Sequence, residues 1–334
     1  MPNFEETGPG SPVNYPTRVD RVHPRARLLG AVRALLVTLL TVIALIPVFV
    51  MAITAFKTRS DILASPPIVF FKPTLEGFVF LFTDRAVVTT SRLDEFKQRA
   101  ASGQMTIFER IAFESGQEIT GPSPYVTRLR NSIIIAGLST VLSVVLGVFA
   151  AYAFSRFQVP GKDDLLFFIL STRMLPAVVV TIPIFLMYRQ VNLFDTHLGM
   201  ILLYTAFNLS FSVWLLKGFI DEIPKEYEEA ALVDGYSRLQ SFFRIVLPQA
   251  VAGIAATAVF CLIFAWNEYA FALMLTSEKA RTAPPSIATM LGRGGIEWSA
   301  IAAGSLGFLI PVIIVTFALR KYLLRGITFG AIRQ

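Results

Sequence analysis

The chain has 334 residues, of which 54% are hydrophobic and only 16% charged, and its mean hydropathy is +0.62. A soluble domain carries about 25% charged residues, and here the apolar residues gather in runs of about 20, the length that crosses a hydrocarbon core, so the composition excludes a water-soluble globular protein and points to a polytopic membrane protein. The net charge of +7 is no argument for nucleic acid, because the basic residues lie mainly beside the ends of apolar runs, where membrane topology accounts for them. One cysteine and two histidines support neither a metal cluster nor an internal disulfide, and Cys261, inside an apolar run, reads as a small core residue.

Residues 1–33 read as a polar tail, rich in proline and glycine and ending in Arg18, Arg21, Arg25, Arg27 and Arg33. The first apolar run, 34–56, is too long for a signal peptide and has no prompt small-residue cleavage site, so a retained span is expected. Residues 57–127 form a long loop, with extended chain around Ser65-Pro66-Pro67 and two short helices, Ser91–Ala101 and Thr106–Ser115, separated by Gly103. A permease-like core of five further runs is expected within 128–319: 131–154, 165–188, 198–216, 250–275 and 300–319. Pro176, Pro183 and Pro311 should kink their spans. The 276–299 loop, with Gly292-Arg293-Gly294-Gly295, reads as flexible, and 320–334 as a basic tail.

Residues 217–249 are the polar exception between runs four and five. They read as two short helices: Pro224 at a first helical position, Glu226, Glu228 and Glu229 in the first turns, Gly235 as a stop needing positive φ, and Ser237 with Gln240 as a capping box. A break before Pro248 is expected, because Leu247 is pushed toward extended backbone. Counting Lys and Arg beside the spans gives fifteen on the side of the termini against four opposite (Arg189, Lys279, Arg281, Arg293), the long loop set aside. That bias puts both termini and the 217–249 hairpin in the cytoplasm.

Within this hairpin, Glu229-Ala230-Ala231, Gly235, Ile245 and Leu247-Pro248 resemble the EAA loop of bacterial ABC importer permeases, EAA-x3-G-x9-I-x-LP, at every fixed position. Asn131-Ser132 and the Ala150–Arg156 stretch at the two ends of run two, and Arg325–Ala331 in the tail, are similar to the maltose-type carbohydrate permeases. The resemblance covers about residues 30–75 and 125–334. It implies an all-α subunit of six transmembrane helices in a bacterial cytoplasmic membrane, with a cytoplasmic two-helix coupling loop between spans four and five. It further implies a second homologous permease subunit, two ATPase subunits docked below the pair with the hairpin helix in a groove on the ATPase, and an external solute-binding protein delivering a carbohydrate or polyol. The long loop exceeds the corresponding family loop by 35 to 40 residues. The coupling residues would be Glu229, Ala230, Ala231, Asp234, Gly235, Ile245, Leu247 and Pro248. The C-terminal tail either reaches the ATPases or is a frayed basic end.

No G-x-x-x-x-G-K-[ST] loop is present, so no nucleotide or other cofactor is expected on this chain; ATP would be used by partners. No catalytic constellation is visible, and no metal site is expected. Polar groups inside spans are costly, which singles out Arg173, Asn267 and Glu268. Each lies either beside a solute path or in a structural pair. Tyr204, Asn208 and Ser212 recur at helical spacing, as a cavity wall or as helix–helix bonding. Trp266 is either a ring platform for a sugar or an interface anchor. A secondary transporter or channel is the alternative; it calls for internal repeats and ion-coupling carboxylates, of which only Glu268 is a candidate.

Overall fold

The structure is a computed structural model that describes residues 24–292 and 295–329. It divides into two units, residues 1–50 and 51–334. In the first, helix α1 (Pro24–Ala55) begins ten residues before the expected run, and its side chains from 29 to 50 are exposed all round. A helix apolar on every face suits a hydrocarbon surrounding. The rest of the proposed N-terminal tail, residues 1–23, lies outside the described residues.

The second unit opens with α2 (Arg59–Leu63) and α3 (Glu76–Phe82). The two helices expected in the long loop are found within a residue at each end, as α4 (Thr90–Ala101) and α5 (Ile107–Glu114), with Gly103 at φ +69° between them. Thr106 and Glu109 close a reciprocal cap on α5: the Thr106 N–H donates to the Glu109 carboxylate at 2.8 Å and the Glu109 N–H to Thr106 Oγ1 at 3.2 Å. An antiparallel pair of strands, β1 (Thr83–Val87) and β2 (Gln117–Pro122), was not foreseen. It runs from Thr83 opposite Pro122 to Val87 opposite Gln117, with a register irregularity at Asp84 and Arg85. This pair closes a neck beneath α4 and α5.

The core is built on α6 (Tyr125–Arg156), which packs most extensively against α9 (His197–Asp221). Gly147 permits this approach: a Cβ there would sit 2.1 Å from Ser212 Oγ. Ser143 Oγ donates to the Thr205 carbonyl at 3.1 Å across the same seam. Two apolar clusters lie along the pair. One, near the α6 C-terminus, holds Val148, Tyr152, Leu216, Ile220, Phe242 and Val246; the other, toward its N-terminal half, holds Ile135, Met200, Tyr204, Trp266 and Phe271. The outward side of α6, with Ile133, Val141 and Val145 about half exposed, is left uncovered.

Runs three and five depart from the single spans expected. Run three consists of α7 (Lys162–Ser171), a 3₁₀ turn at Thr172–Met174, and α8 (Ala177–Gln190), with a bend of 93°. The break falls at Leu175-Pro176: Leu175 is extended (φ −68°, ψ 126°), as the residue before proline must be, and Pro176 offers no N–H to continue the ladder. Pro183 and Pro311, by contrast, sit inside continuous helices.

The hairpin comprises α10 (Glu226–Val233), α11 (Arg238–Ser241), a π turn (Phe242–Val246) and α12 (Leu247–Gln249). Pro224 lies just ahead of the helix, not inside it. The expected stop before Pro248 is also displaced. The π turn, in which the Leu247 N–H donates to Phe242 O, carries the chain into α12, and the 73° bend comes at Ala250. Run five then continues as α13 (Val251–Trp266), breaks at Asn267–Tyr269, and resumes as α14 (Ala270–Leu275).

The 276–299 loop is more ordered than its glycines and prolines suggest. Pro284 and Pro285 stand in the first turn of α15 (Ala283–Ala288), where a missing N–H costs nothing. The two-residue strands β3 (Leu291–Gly292) and β4 (Gly295–Ile296) flank residues 293 and 294, which lie outside the described residues. The last helix, α16 (Trp298–Phe329), runs ten residues past the expected end at Leu319 and takes in most of the supposed tail. Residues 330–334 lie outside the described residues. Four helices among the described residues are long and apolar enough to cross a membrane, and the two bent pairs bring the number to six if each is one span.

Candidate functional site

The 217–249 hairpin has an inner and an outer face. Glu226, Glu228 and Glu229 occupy the first turn of α10, where carboxylates meet the positive helix end. Glu228 and Ala231, three apart, turn inward and are buried; Tyr227, Glu229, Ala230 and Val233 are exposed, Val233 to 87%. The C-terminus of α10 closes as a Schellman motif: the Gly235 N–H donates to Leu232 O at 3.1 Å and the Tyr236 N–H to Ala231 O at 3.0 Å. Gly235 has φ +88°, the conformation in which a side chain is penalised, and Asp234 is the cap residue beside it. Ser237 and Gln240 form the expected capping box.

Glu228 is the root of the hairpin. Its carboxylate pairs with Arg156 Nε at the end of α6, side-chain exposure being 9% and 5%, and accepts from the Tyr152 hydroxyl at 2.8 Å. Arg156 also donates to the Ile223 carbonyl at 2.8 Å and to Ser155 Oγ at 2.9 Å. Ser155 Oγ in turn donates to Asp221 at 2.6 Å, and Asp221 pairs with Lys217. So the α6 terminus, the α9 terminus and α10 are joined by one chain of charge-assisted bonds. Phe242 reinforces the junction, its ring 4.6 Å from that of Tyr152. Of the motif residues, Ile245 and Leu247 are half-buried and Pro248 is exposed.

Sequence reading passed over Glu228, Arg156, Tyr152 and Asp221 as functional residues. One signal was available: Glu228 and Ala231 lie at i and i+3, so they share a face, and an inward carboxylate needs a cation. Which cation it would find depends on the fold.

The polar residues inside the spans have specific partners. Glu268 stands at the break in run five. Its carboxylate accepts the Phe271 and Ala272 N–H groups at 2.8 and 3.0 Å, starting α14, and the Tyr204 hydroxyl at 2.7 Å. Asn267 is exposed and donates to the Ile263 carbonyl at 2.8 Å. Asn208 is buried and donates to the Cys261 carbonyl at 3.1 Å, tying α9 to α13. Trp266 stacks on Phe308 with ring centres 4.7 Å apart and donates to the Phe308 carbonyl at 3.2 Å. Arg173, half-buried in the 3₁₀ turn, donates to the Phe207 carbonyl at 3.3 Å and lies over the rings of Phe264 and Phe211 at 4.2 and 5.1 Å. The structure thus brings Tyr204 and Glu268 into direct contact, while Asn208 and Trp266 are bound into helix–helix seams. Among the described residues no group of three or more His, Cys, Asp or Glu could hold a metal ion.

At the far end of the α6–α9 pair, Asp195 accepts the backbone N–H groups of Ser277, Glu278, Lys279 and Ala280 at 3.0 to 3.1 Å. Partial burial works against its charge, but the four N–H groups outweigh it and hold the carboxyl below its usual range.

A family model described as the binding-protein-dependent transport system inner membrane component matches residues 143–329. The trehalose transport system permease protein SugB of Mycobacterium tuberculosis is 37% identical over 67% of this chain and 82% of its own length. The trehalose/maltose transport system permease protein MalG of Thermococcus litoralis is 30% identical over 88% of this chain and 94% of its own. In fold, the chain is similar to one from the crystal structure of a bacterial ABC transporter involved in the import of the acidic polysaccharide alginate (TM-score 0.61, 22% identity, covering 90% of this chain and 98% of that one). The chain belongs to the binding-protein-dependent transport system inner membrane components, the multi-pass permease subunits of ABC transporters.

Proposed function

We propose that this chain is the permease subunit of an importer for a carbohydrate or polyol, driven by ATPase subunits that bind the 217–249 hairpin from the cytoplasm. The observation that carries this reading is the two-sided α10. Its outer face presents Glu229, Ala230 and Val233 to the surroundings, while its inner face is rooted in α6 through Glu228, and α6 is tied to α9 by Ser155 on Asp221. A short helix that is exposed on one side and ion-paired on the other to α6, itself bonded to α9, is suited to take a push and pass it on. Six spans, cytoplasmic termini, two ATPases, a second homologous permease and an external binding protein complete the assembly. The substrate class rests on the named substrates of SugB and MalG, trehalose and maltose. Alternating access would then follow as a rigid-body change between the two permeases.

The solute would pass Asn267 and Glu268 at the break in run five and Arg173 at the break in run three; Tyr204 orients Glu268, and Asn208 and Trp266 hold the surrounding helices. Reconstituting the complete assembly in vesicles and supplying trehalose, maltose and other sugars on the binding protein tests the reading. Uptake should require both ATP and the ATPase subunits. Uptake by this chain without them would overturn it in favour of a secondary transporter.

A further inference from the structure

Asn131 and Ser132 stand at the end of α6 opposite the hairpin, about 38 Å from Arg156 at the helical rise of 1.5 Å per residue. Asn131 is fully buried. Its amide nitrogen donates to two backbone carbonyls, Lys279 at 2.9 Å and Arg281 at 3.0 Å, and its oxygen is bonded to His197 Nε2 at 2.8 Å. Ser132 Oγ accepts the Ala283 N–H at 2.9 Å. From the head of α9, Asp195 takes the four preceding N–H groups of the same turn. The 277–283 turn is therefore gripped by α6 and α9 together, just as α10 is gripped by Arg156 at the other end. Between the grips the two helices are pinned by Ser143 on Thr205 and by the close approach at Gly147.

Resting on the function proposed above, we infer that the α6–α9 pair is a stiff strut with a clasp at each end, and that Asn131 and Ser132 are positioning residues that deliver the hairpin's movement to the outward 277–283 turn. A backbone turn has few side-chain features to hold; bonding its N–H and C=O groups directly fixes its position whatever residues it carries. Severing the Asn131 and Ser132 contacts would leave ATP hydrolysis and the hairpin in place but loosen the turn from α6, leaving it held by Asp195.

The test uses the full transporter with nitroxide labels at the exposed positions E222C, in the hairpin, and E278C, in the turn; Cys261 is buried and out of reach of the label. In the unaltered clasp, the label-to-label distance should stay the same between nucleotide-free and ATP-bound states. With N131A and S132A together it should broaden, and solute taken up per ATP hydrolysed should fall about tenfold, within the range that coupling between sites spans. A wild-type distance that changes by more than about 2 Å, the scale of ordinary helix shifts, overturns the strut while leaving the importer reading intact. So does a double variant with unchanged distance and unchanged uptake per ATP. If ATP drives no uptake at all, the importer reading falls and the strut falls with it.

Discussion

Glu228 and Glu229 are adjacent and chemically alike, yet one is buried in an ion pair and the other faces water. The difference is helical phase. Glu228 lies on the stripe with Ala231 and meets Arg156, so its charge is neutralised inside the protein; Glu229 is turned away and left for another molecule. Gly235 fixes that phase by ending α10 with positive φ. G235V would force a β-branched residue into a region that costs about 1–3 kcal/mol, and should misdirect α10. The expected result is normal membrane insertion and ATP hydrolysis with strongly reduced uptake, measured side by side in vesicles; uptake at the original rate would show the turn to be irrelevant to coupling. Glu268 presents a different balance, because it both starts α14 and faces the run-five break. E268Q keeps an acceptor for one N–H group and removes the charge. Solute uptake should drop more than the yield of assembled complex, and the reverse ranking would assign the residue to architecture alone.

At the scale of elements, the insertion in the long loop separates cleanly from the core. Val87 and Gln117 are paired across the β1–β2 neck, so residues 88–116 can be replaced by a tight turn without disturbing either strand. Within that piece α4 and α5 are held to each other by Phe96 stacked on Phe113, ring centres 5.9 Å apart, and by Arg99 on Glu109 at 3.4 Å. The shortened chain should assemble with its partners but bind the solute-loaded external protein more weakly, as read by titration of that protein; normal binding and uptake would show the insertion to be dispensable. These two helices were legible in sequence because the glycine between them is a local signal. The β pair was not, since five residues, Thr83-Asp84-Arg85-Ala86-Val87, show no clean alternation and find their partners 30 to 39 positions away. The broken runs misled for a related reason. Hydropathy measures how apolar a stretch is, while Pro176 and the Glu268 carboxylate act on individual backbone N–H groups that hydropathy does not register.

For the whole molecule, composition was enough to reach a helical membrane protein, and the spacing of seven residues from Glu229 to Pro248 carried the family. What sequence did not supply was the connection of that hairpin to the rest. Arg156 entered the reading as a topological charge and Asn131 as part of a resemblance; only the packing of α6 on α9 shows that one helix pair holds α10 at one end and the 277–283 turn at the other. The central claim is that α10 faces the cytoplasm and receives the ATPase there. Its most direct test is modification of V233C, at an exposed position of α10, with a membrane-impermeant maleimide applied to right-side-out and inside-out vesicles. Labelling should occur only in inside-out vesicles and be blocked when the ATPase subunits are bound. Labelling from the outer side, or labelling unaffected by the bound ATPase, would contradict the account.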